Sequence, residues 1–157
     1  MKCKMNITGK NYFFVLLILF SSVSLCLAQE TGETLHPQAI IVASYRGDDV
    51  MVRELLKVGV DKDVRDALGA TALHASMFQS NLAVVKLLLE YGFDVNARVT
   101  KNGNTPLHYA VASNNLGAAQ LLLQYYANKN IKNLEGLTPL DKARREEKDA
   151  MIKLLYR

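Results

Sequence analysis

The chain has 157 residues, the size of one domain. Half of its residues are hydrophobic, it has two cysteines and no tryptophan, and its formal net charge is +4. This composition excludes a disordered tail, a collagen and a small domain held together by disulfides. A positive net charge is typical of proteins that bind nucleic acid, so the position of the basic residues decides what the charge means.

The first 28 residues have the layout of a secretory signal peptide. Three lysines precede an apolar run at 12–20, no acidic residue occurs before residue 29, and small side chains follow at Cys26 and Ala28. We therefore predict cleavage before Gln29 and export of the remaining chain to the periplasm or the extracellular space. The alternative is an uncleaved membrane anchor, for which residues 12–28 are short compared with the roughly 20 residues of a spanning helix.

Removal of this segment changes the meaning of the charge and of the cysteines. Without Lys2, Lys4 and Lys10, 16 basic residues stand against 15 acidic ones, so the remaining chain is nearly neutral. We therefore expect no nucleic-acid partner. Cys3 and Cys26 also lie in the removed segment, which leaves no disulfide, no Cys-ligated metal and no thiol nucleophile.

The rest of the chain repeats one pattern about every 33 residues. Three similar segments at 69–74, 103–108 and 136–141 have their threonines 34 and 33 residues apart, and Gly59 and Gly92 each follow an apolar run. Such a repeat predicts one supersecondary unit that must stack on copies of itself to bury its apolar face.

Each repeat is predicted to contain two helices. Thr105-Pro106 and Thr138-Pro139 are predicted helix starts, because threonine is a good N-cap. Proline has no N–H, and at the first helical position that donor has no partner within the helix anyway. Apolar residues then recur at helical spacing, and an asparagine precedes the second helix of the two central repeats. In chain order the predicted helices are 37–46 and 49–58, 72–79 and 82–91, 106–113 and 116–125, and 139–145 and 148–156.

With its Gly-x-Thr-Pro-Leu-His start, its Val-Val-x-Leu-Leu-Leu helix and its Gly-x-Asp-Val-Asn end, the pattern resembles the ankyrin-repeat family. The resemblance implies an all-α fold, a solenoid of four helix-turn-helix repeats with short β-turn finger loops. The repeats would cover about 37–65, 66–99, 100–132 and 133–157, after a linker at 29–36. The residues to which the resemblance gives a structural role are Thr71, His74, Thr105, Pro106, His108, Thr138 and Pro139.

The two motif histidines, His74 and His108, lie one repeat apart and could suggest a metal pair. The resemblance implies instead that each imidazole hydrogen-bonds the neighbouring turn and ties adjacent repeats together. We favour this role, because the sequence places no carboxylate or thiol to complete a coordination shell. Since no nucleophile elbow, phosphate loop or His-Glu-x-x-His helix occurs either, we predict a non-enzymatic protein without a cofactor.

The third repeat departs from the family pattern at two places. Tyr126 stands where the family has a glycine, so either a left-handed backbone costs this non-glycine residue about 1 kcal/mol or the helix ends differently. Ala118 and Ala119 replace larger apolar residues, so we expect thinner outer packing and the weakest local stability in this repeat. The charged first and last repeats are predicted to cap the stack.

In ankyrin repeats, the fingers and the exposed ends of the first helices form a concave face that binds proteins. Aromatic, aliphatic and Arg side chains, which are enriched in binding hot spots, occupy several of these positions here. The alternative is that Phe78 and Leu134 pack against the next repeat. The predicted partner-binding residues are Tyr45, Arg46, Leu68, Phe78, Gln79, Asn102, Asn104, Leu134 and Glu135.

From these patterns, the predicted function is that of an exported, monomeric module that binds an unidentified partner protein. A membrane-anchored ankyrin-repeat scaffold with an uncleaved N-terminal helix is the first alternative. An enzyme with an unrecognised site on the same face is the second.

Overall fold

The computed structural model describes residues 36–156 of the chain. The predicted signal peptide at 1–28, all but the last residue of the predicted linker, and Arg157 lie outside the described residues. Within 36–156 the secondary structure consists of eight helices without a strand, which confirms the predicted all-α solenoid fold. The helices are α1 Ala39–Arg46, α2 Asp49–Lys57, α3 Ala72–Ser76, α4 Leu82–Glu90, α5 Pro106–Ala112, α6 Leu116–Gln124, α7 Pro139–Arg145 and α8 Asp149–Tyr156.

Most helix ends lie within two residues of the prediction, but α3 ends three residues early. Its α-helical hydrogen bonds stop at Ser76, and the N–H groups of Met77, Phe78 and Gln79 each bond the carbonyl three residues back. This is the tighter 3₁₀ pattern that often closes a helix. The predicted helix over 72–79 is therefore a short α-helix followed by a 3₁₀ turn.

Local sequence explains where the helices begin. Thr105 has an extended backbone before Pro106 at the first helical position, and the hydroxyl of Thr138 accepts the N–H of Asp141 at 3.2 Å. The side-chain oxygen of Asn115 accepts the N–H of Ala118 at 3.0 Å, three residues into the next helix. Each of these side chains satisfies or replaces a backbone donor that has no partner inside the helix.

The repeats stack through one continuous core. First helices pack on first helices and second helices on second helices of the next repeat, while each helix also contacts the other helix of its own pair. Burying each large apolar side chain stabilises the stack by about 1.5–3 kcal/mol. The largest fully buried apolar side chains, from all four repeats, are Ile40, Val52, Leu55, Leu73, Met77, Leu88, Leu107, Leu122, Met151 and Leu155.

A polar ladder also connects consecutive repeats. The amide of Asn81 donates to the Gly47 carbonyl at 2.8 Å, and the amide of Asn115 donates to the Gln79 carbonyl at 2.7 Å. In the last repeat, Lys148 donates instead, to the Ala112 carbonyl at 2.7 Å. The two asparagines therefore cap their own helix and also satisfy a carbonyl at the end of the preceding first helix.

The two irregular features of the third repeat are visible in the structure. Tyr126 has a φ of +63°, so its backbone is left-handed. Gly92, at the equivalent position of the second repeat, has a φ of +79°. The Tyr126 side chain is 89% exposed. Ala118 and Ala119 are fully buried, and Leu82 packs so closely on Gly117 that a Cβ there would lie 2.7 Å from Cδ1 of Leu82. A surface groove of about 320 Å³ lies there between α4 and α6, lined by Leu82, Ala83, Lys86, Gly117, Gln120, Leu121 and Gln124.

A candidate protein-binding face

An aromatic row crosses the first three repeats. Tyr45 lies on α1, Phe78 just after α3 and Tyr109 on α5. The Tyr45 and Phe78 ring centroids are 6.1 Å apart, and those of Phe78 and Tyr109 are 5.6 Å apart in an edge-to-face arrangement. Such pairs contribute about 0.5–1.5 kcal/mol beyond their buried area. Because Tyr45 is still 57% exposed and Phe78 50%, the row keeps an open aromatic surface.

Hydrogen bonds between repeats hold this row in place. The Gln79 amide donates to the Tyr45 carbonyl at 2.5 Å, and the Ser113 hydroxyl donates to the Met77 carbonyl at 2.8 Å. The backbone next to each aromatic ring is therefore fixed by the following repeat. Gln79, which the sequence predicted as a partner contact, has its amide committed to this internal bond.

The predicted apolar anchors of the fingers are exposed. Leu68 is 47% and Leu134 67% accessible, and Arg46 is exposed at the end of α1. Phe78 packs on Tyr109 of the next repeat and is still half exposed. Leu134 lies on the last finger and is largely free of packing.

The polar finger residues are engaged within the repeats. Asn102 accepts the N–H of Asn104 at 3.0 Å, and the Asn104 side chain accepts the amide of Asn133 at 2.8 Å. Glu135 pairs with Arg145 at 2.6 Å, and the hydrogen bond from Arg145 lowers the pKa of the Glu135 carboxyl. The structure therefore uses Asn102 and Asn104 to shape the fingers, although the sequence placed them among the partner contacts.

Neighbouring fingers bond to each other along one edge. The Lys101 N–H donates to the Leu68 carbonyl at 3.3 Å, and the Leu134 N–H donates to the Asn102 carbonyl at 2.9 Å. Glycine is required where the fingers meet: Gly69 has a φ of +83°, and a Cβ there would lie 2.7 Å from the backbone nitrogen of Thr100.

A row of basic side chains on these fingers was missed by the sequence analysis. The Arg65 guanidinium donates to the Gly69 and Arg98 carbonyls, each at 2.9 Å, and Arg98 donates to the Lys132 carbonyl at 3.0 Å. We call Arg65, Arg98 and Lys132 the basic row. Their spacing of 33 and 34 residues was the signal available in the sequence.

Both motif histidines bridge adjacent repeats. Nδ1 of His74 accepts the Thr71 N–H at 3.1 Å, which places the ring proton on Nε2, and Nε2 donates to the Asn104 carbonyl at 3.2 Å. His108 makes the equivalent bonds, at 3.2 and 3.0 Å. Burial lowers the pKa of His74 to about 4, and burial also lowers that of His108. Both imidazoles are therefore neutral at pH 7.

The histidine nitrogens have no free lone pair to offer a metal, because both nitrogens of each ring are hydrogen-bonded to the backbone. Across residues 36–156 the structure contains no group of three or more His, Cys, Asp or Glu side chains that could hold a metal ion. In the same part of the chain, no helix is both long and apolar enough to cross a membrane.

The family model described as ankyrin repeats matches residues 39–133 and 99–157, with three copies. The chain belongs to the ankyrin-repeat family. This family's fold is generally a binding scaffold without enzymatic activity, and its repeats generally bind protein partners.

Curated relatives match over part of their length. The chain is 42% identical over 108 residues to a putative ankyrin repeat protein of fowlpox virus, covering 66% of this chain and 31% of the relative. It is 36% identical over 94 residues to the BTB/POZ domain and ankyrin repeat-containing protein NH5.2 of Oryza sativa, covering 59% and 18%. It is 31% identical over 91 residues to palmitoyltransferase AKR1 of Saccharomyces cerevisiae, covering 57% and 12%. The matched segment thus spans less than a third of each of these relatives.

Proposed function

We propose that the chain is a non-enzymatic, monomeric module that binds a partner protein through the face formed by the aromatic row and the finger tips. The observation that supports this most is the open surface of Tyr45 and Phe78, two aromatic rings held side by side by bonds between repeats. Rigid, partly exposed aromatic side chains are typical of interface hot spots, because little conformational entropy is lost when they are covered.

Affinity capture with cross-linking tests this role. We expect the Tyr45→Ala/Phe78→Ala double variant to lose at least about tenfold in recovery of the main partners, since hot-spot truncations typically cost 2 kcal/mol or more. The matched control is Tyr91→Ala/Tyr156→Ala, which removes two exposed aromatic rings located at the ends of α4 and α8. Equal recovery by all three proteins would show that the aromatic row is not the binding surface.

Absence of enzymatic activity is part of the same proposal. It is supported by the lack of a catalytic motif in the sequence and by the small matched share of the palmitoyltransferase, 12% of its length. Binding of nucleic acid is not expected, because the chain after residue 28 is nearly neutral. A salt-dependent affinity for duplex DNA comparable with that for the protein partner would contradict this part of the proposal.

We further propose that the repeats act after export, with residues 1–28 removed. This rests on the basic start, the apolar run and the small residues before Gln29. Mass spectrometry of the intact protein purified from its own cells tests the proposal. A new N-terminus at Gln29 supports export by cleavage, and an intact Met1 in a membrane fraction supports the anchored scaffold instead.

A further inference from the structure

The charges of two members of the basic row, Arg65 and Arg98, are not paired with a carboxylate within the fingers. The guanidinium groups of Arg65 and Arg98 donate to backbone carbonyls, which are dipoles without net charge. Lys101, next to Arg98 in the third finger, is exposed. In the part of the chain that the structure describes, none of these three side chains forms an ion pair.

Two carboxylates close in sequence to the basic row, Asp66 and Glu135, already have hydrogen-bond partners. Asp66 accepts the backbone N–H groups of Leu68 and Ala70, both at 2.8 Å, and Glu135 binds Arg145. The third finger, at 97–105, contains no acidic residue. Arg98 and Lys101 are therefore exposed cations on a finger that has no acidic residue of its own.

The cations of the fourth repeat show the contrast. Lys142 and Lys148 both pair with Glu146, at 2.8 and 2.7 Å, and their hydrogen bonds oppose the effect of burial and lower the pKa of that carboxyl. Arg145 is paired with Glu135. Lys142, Arg145 and Lys148 are thus matched by acids of the same repeat, whereas Arg98 and Lys101 form no ion pair within the described residues.

Arg98 of the basic row lies beside Leu134, one of the exposed apolar side chains of the fingers. Arg65 is close enough to His74 to influence its protonation, and the His74 ring packs edge-on against Tyr109, with centroids 5.2 Å apart. A Cβ placed on Gly103 would lie 2.9 Å from Nη2 of Arg98 and 3.0 Å from Cγ of Leu134, so these two side chains are neighbours. A bound segment that covers Leu134 therefore meets Arg98.

We propose that the partner segment is an acidic peptide in which Asp or Glu residues alternate with apolar anchors. This rests on the proposed protein-binding function and specifies its ligand. The anchors would cover Phe78, Leu68 and Leu134, and the carboxylates would face Arg98 and Lys101. Complementary charge of this kind sets the choice of partner and the rate of association, and a carboxylate is the planar acceptor that a guanidinium matches best.

A selection from displayed random peptides, long enough to cross three fingers, tests the proposal with the whole chain as bait. We expect the selected peptides to be enriched in Asp and Glu next to aliphatic or aromatic residues, and to bind more weakly as salt is raised. We expect Lys101→Glu to weaken the best peptide by at least about tenfold, because it reverses a charge at the interface.

The matched control is Lys153→Glu, the same charge reversal on the exposed side of α8. Arg98→Gln is the second variant, and it keeps an amide donor for the Lys132 carbonyl. The melting temperature of this variant, compared with that of the natural chain, shows whether the fingers are intact. Loss of binding in Lys101→Glu and Arg98→Gln, but not in Lys153→Glu, supports the proposal.

Three results would overturn the proposal in distinguishable ways. If the peptides lose binding in Tyr45→Ala/Phe78→Ala but show no acidic enrichment and no effect of Lys101→Glu, the binding face stands and the acidic partner is wrong. If no peptide is enriched, both proposals fail. If a phosphorylated peptide or duplex DNA binds more tightly than any acidic peptide and loses affinity in Lys101→Glu, Arg98 and Lys101 recognise phosphate instead.

Discussion

The second and fourth repeats begin their first helices with the same geometry and different chemistry. In the second repeat the imidazole of His74 accepts the Thr71 N–H and donates to the next finger, in a site with no solvent exposure. In the fourth repeat the Asp141 carboxylate accepts the N–H and hydroxyl of Thr138, at 3.0 and 2.6 Å, in a partly exposed site. A neutral ring suits an interior position because it avoids burying a charge.

The two sites also differ in what lies beyond them. His74 reaches a carbonyl 30 residues further along the chain, so it joins two repeats. Asp141 bonds Thr138 and stabilises only its own helix start. Hydrogen bonding to the Thr138 hydroxyl lowers the pKa of the Asp141 carboxyl. The same motif position therefore joins two repeats in the interior of the stack and stabilises only its own helix in the last repeat.

The largest expected effect comes from removing the interior ring. His74→Ala leaves the buried Thr71 N–H and the Asn104 carbonyl without their partner and creates a cavity, so we expect the free energy of unfolding to fall by about 4 kcal/mol. Urea unfolding followed by circular dichroism measures this loss. His36→Ala is the control, because His36 is exposed, and it should change stability by less than about 0.5 kcal/mol. A loss below about 1.5 kcal/mol for His74→Ala would contradict the inter-repeat role.

The second largest effect is expected from acid, which should weaken the interior sites of His74 and His108. The pKa of His74 is about 4 in the folded chain and near 6.5 when unfolded, so the unfolded chain binds more protons between these values. The contribution of the buried, neutral His74 to folding stability is fully present above pH 6.5 and is lost as the pH falls toward 4. We expect His74 alone to cost about 2 kcal/mol between pH 7.5 and pH 5, with His108 acting in the same direction.

Unfolding in urea at several pH values checks this prediction. The window above pH 5 separates the histidines from Asp141, Glu135 and Glu146, whose pKa values are lowered below the ordinary range of carboxyl groups. His74→Gln should show a flatter dependence of stability on pH in this window. An unchanged slope in that variant would mean that His74 is not the titrating group.

The exposed helix start should be affected less. Thr138→Ala removes the hydroxyl that accepts the Asp141 N–H, and loss of an N-cap costs about 1 kcal/mol. Ser80→Ala serves as the control, since Ser80 is exposed and lies outside the helices. Thermal unfolding should therefore rank His74→Ala as the most damaging change, then Thr138→Ala, then Ser80→Ala. Any other order would contradict the difference between the two repeats.

Local chemistry explains which parts of this fold the sequence could predict. The starts at Pro106 and Pro139 followed from a Thr-Pro pair alone, and they are correct. The end of α3 could not be predicted in this way, because the Met77 carbonyl is taken by Ser113 and Asn115, 36 and 38 residues further along. Contacts between repeats thus decide features that no local window contains.

The binding face shows the same limit. Exposure of Tyr45 and Phe78 was expected from the repeat register, and the structure adds that the two rings lie next to each other with their planes tilted by 59°. Asn102 and Asn104 were assigned to the partner on position alone, while their bonds lie within and between the fingers. The basic row was missed because its bonds join residues 33 and 34 apart, although Arg65, Arg98 and Lys132 recur with the period of the repeat.

The smallest expected effect is a gain of stability at Tyr126. A left-handed backbone costs a residue with a Cβ about 1–2 kcal/mol, and glycine avoids this cost. Part of the gain is lost again, because glycine gives the unfolded chain more conformational freedom. We therefore expect Tyr126→Gly to raise the free energy of unfolding by about 0.5 kcal/mol. Because the ring is 89% exposed, little packing is lost.

The reciprocal change in the second repeat completes the test. Gly92 has a φ of +79°, and a Cβ there would meet only the Lys62 ammonium, at 3.6 Å. Gly92→Ala should therefore lose about 1 kcal/mol from backbone strain without a steric clash. Denaturant midpoints of the two single variants and the double variant measure both effects, and because the sites lie in different repeats the effects should add. If Tyr126→Gly instead lowers stability, the tyrosine ring contributes contacts in solution that outweigh the cost of its backbone.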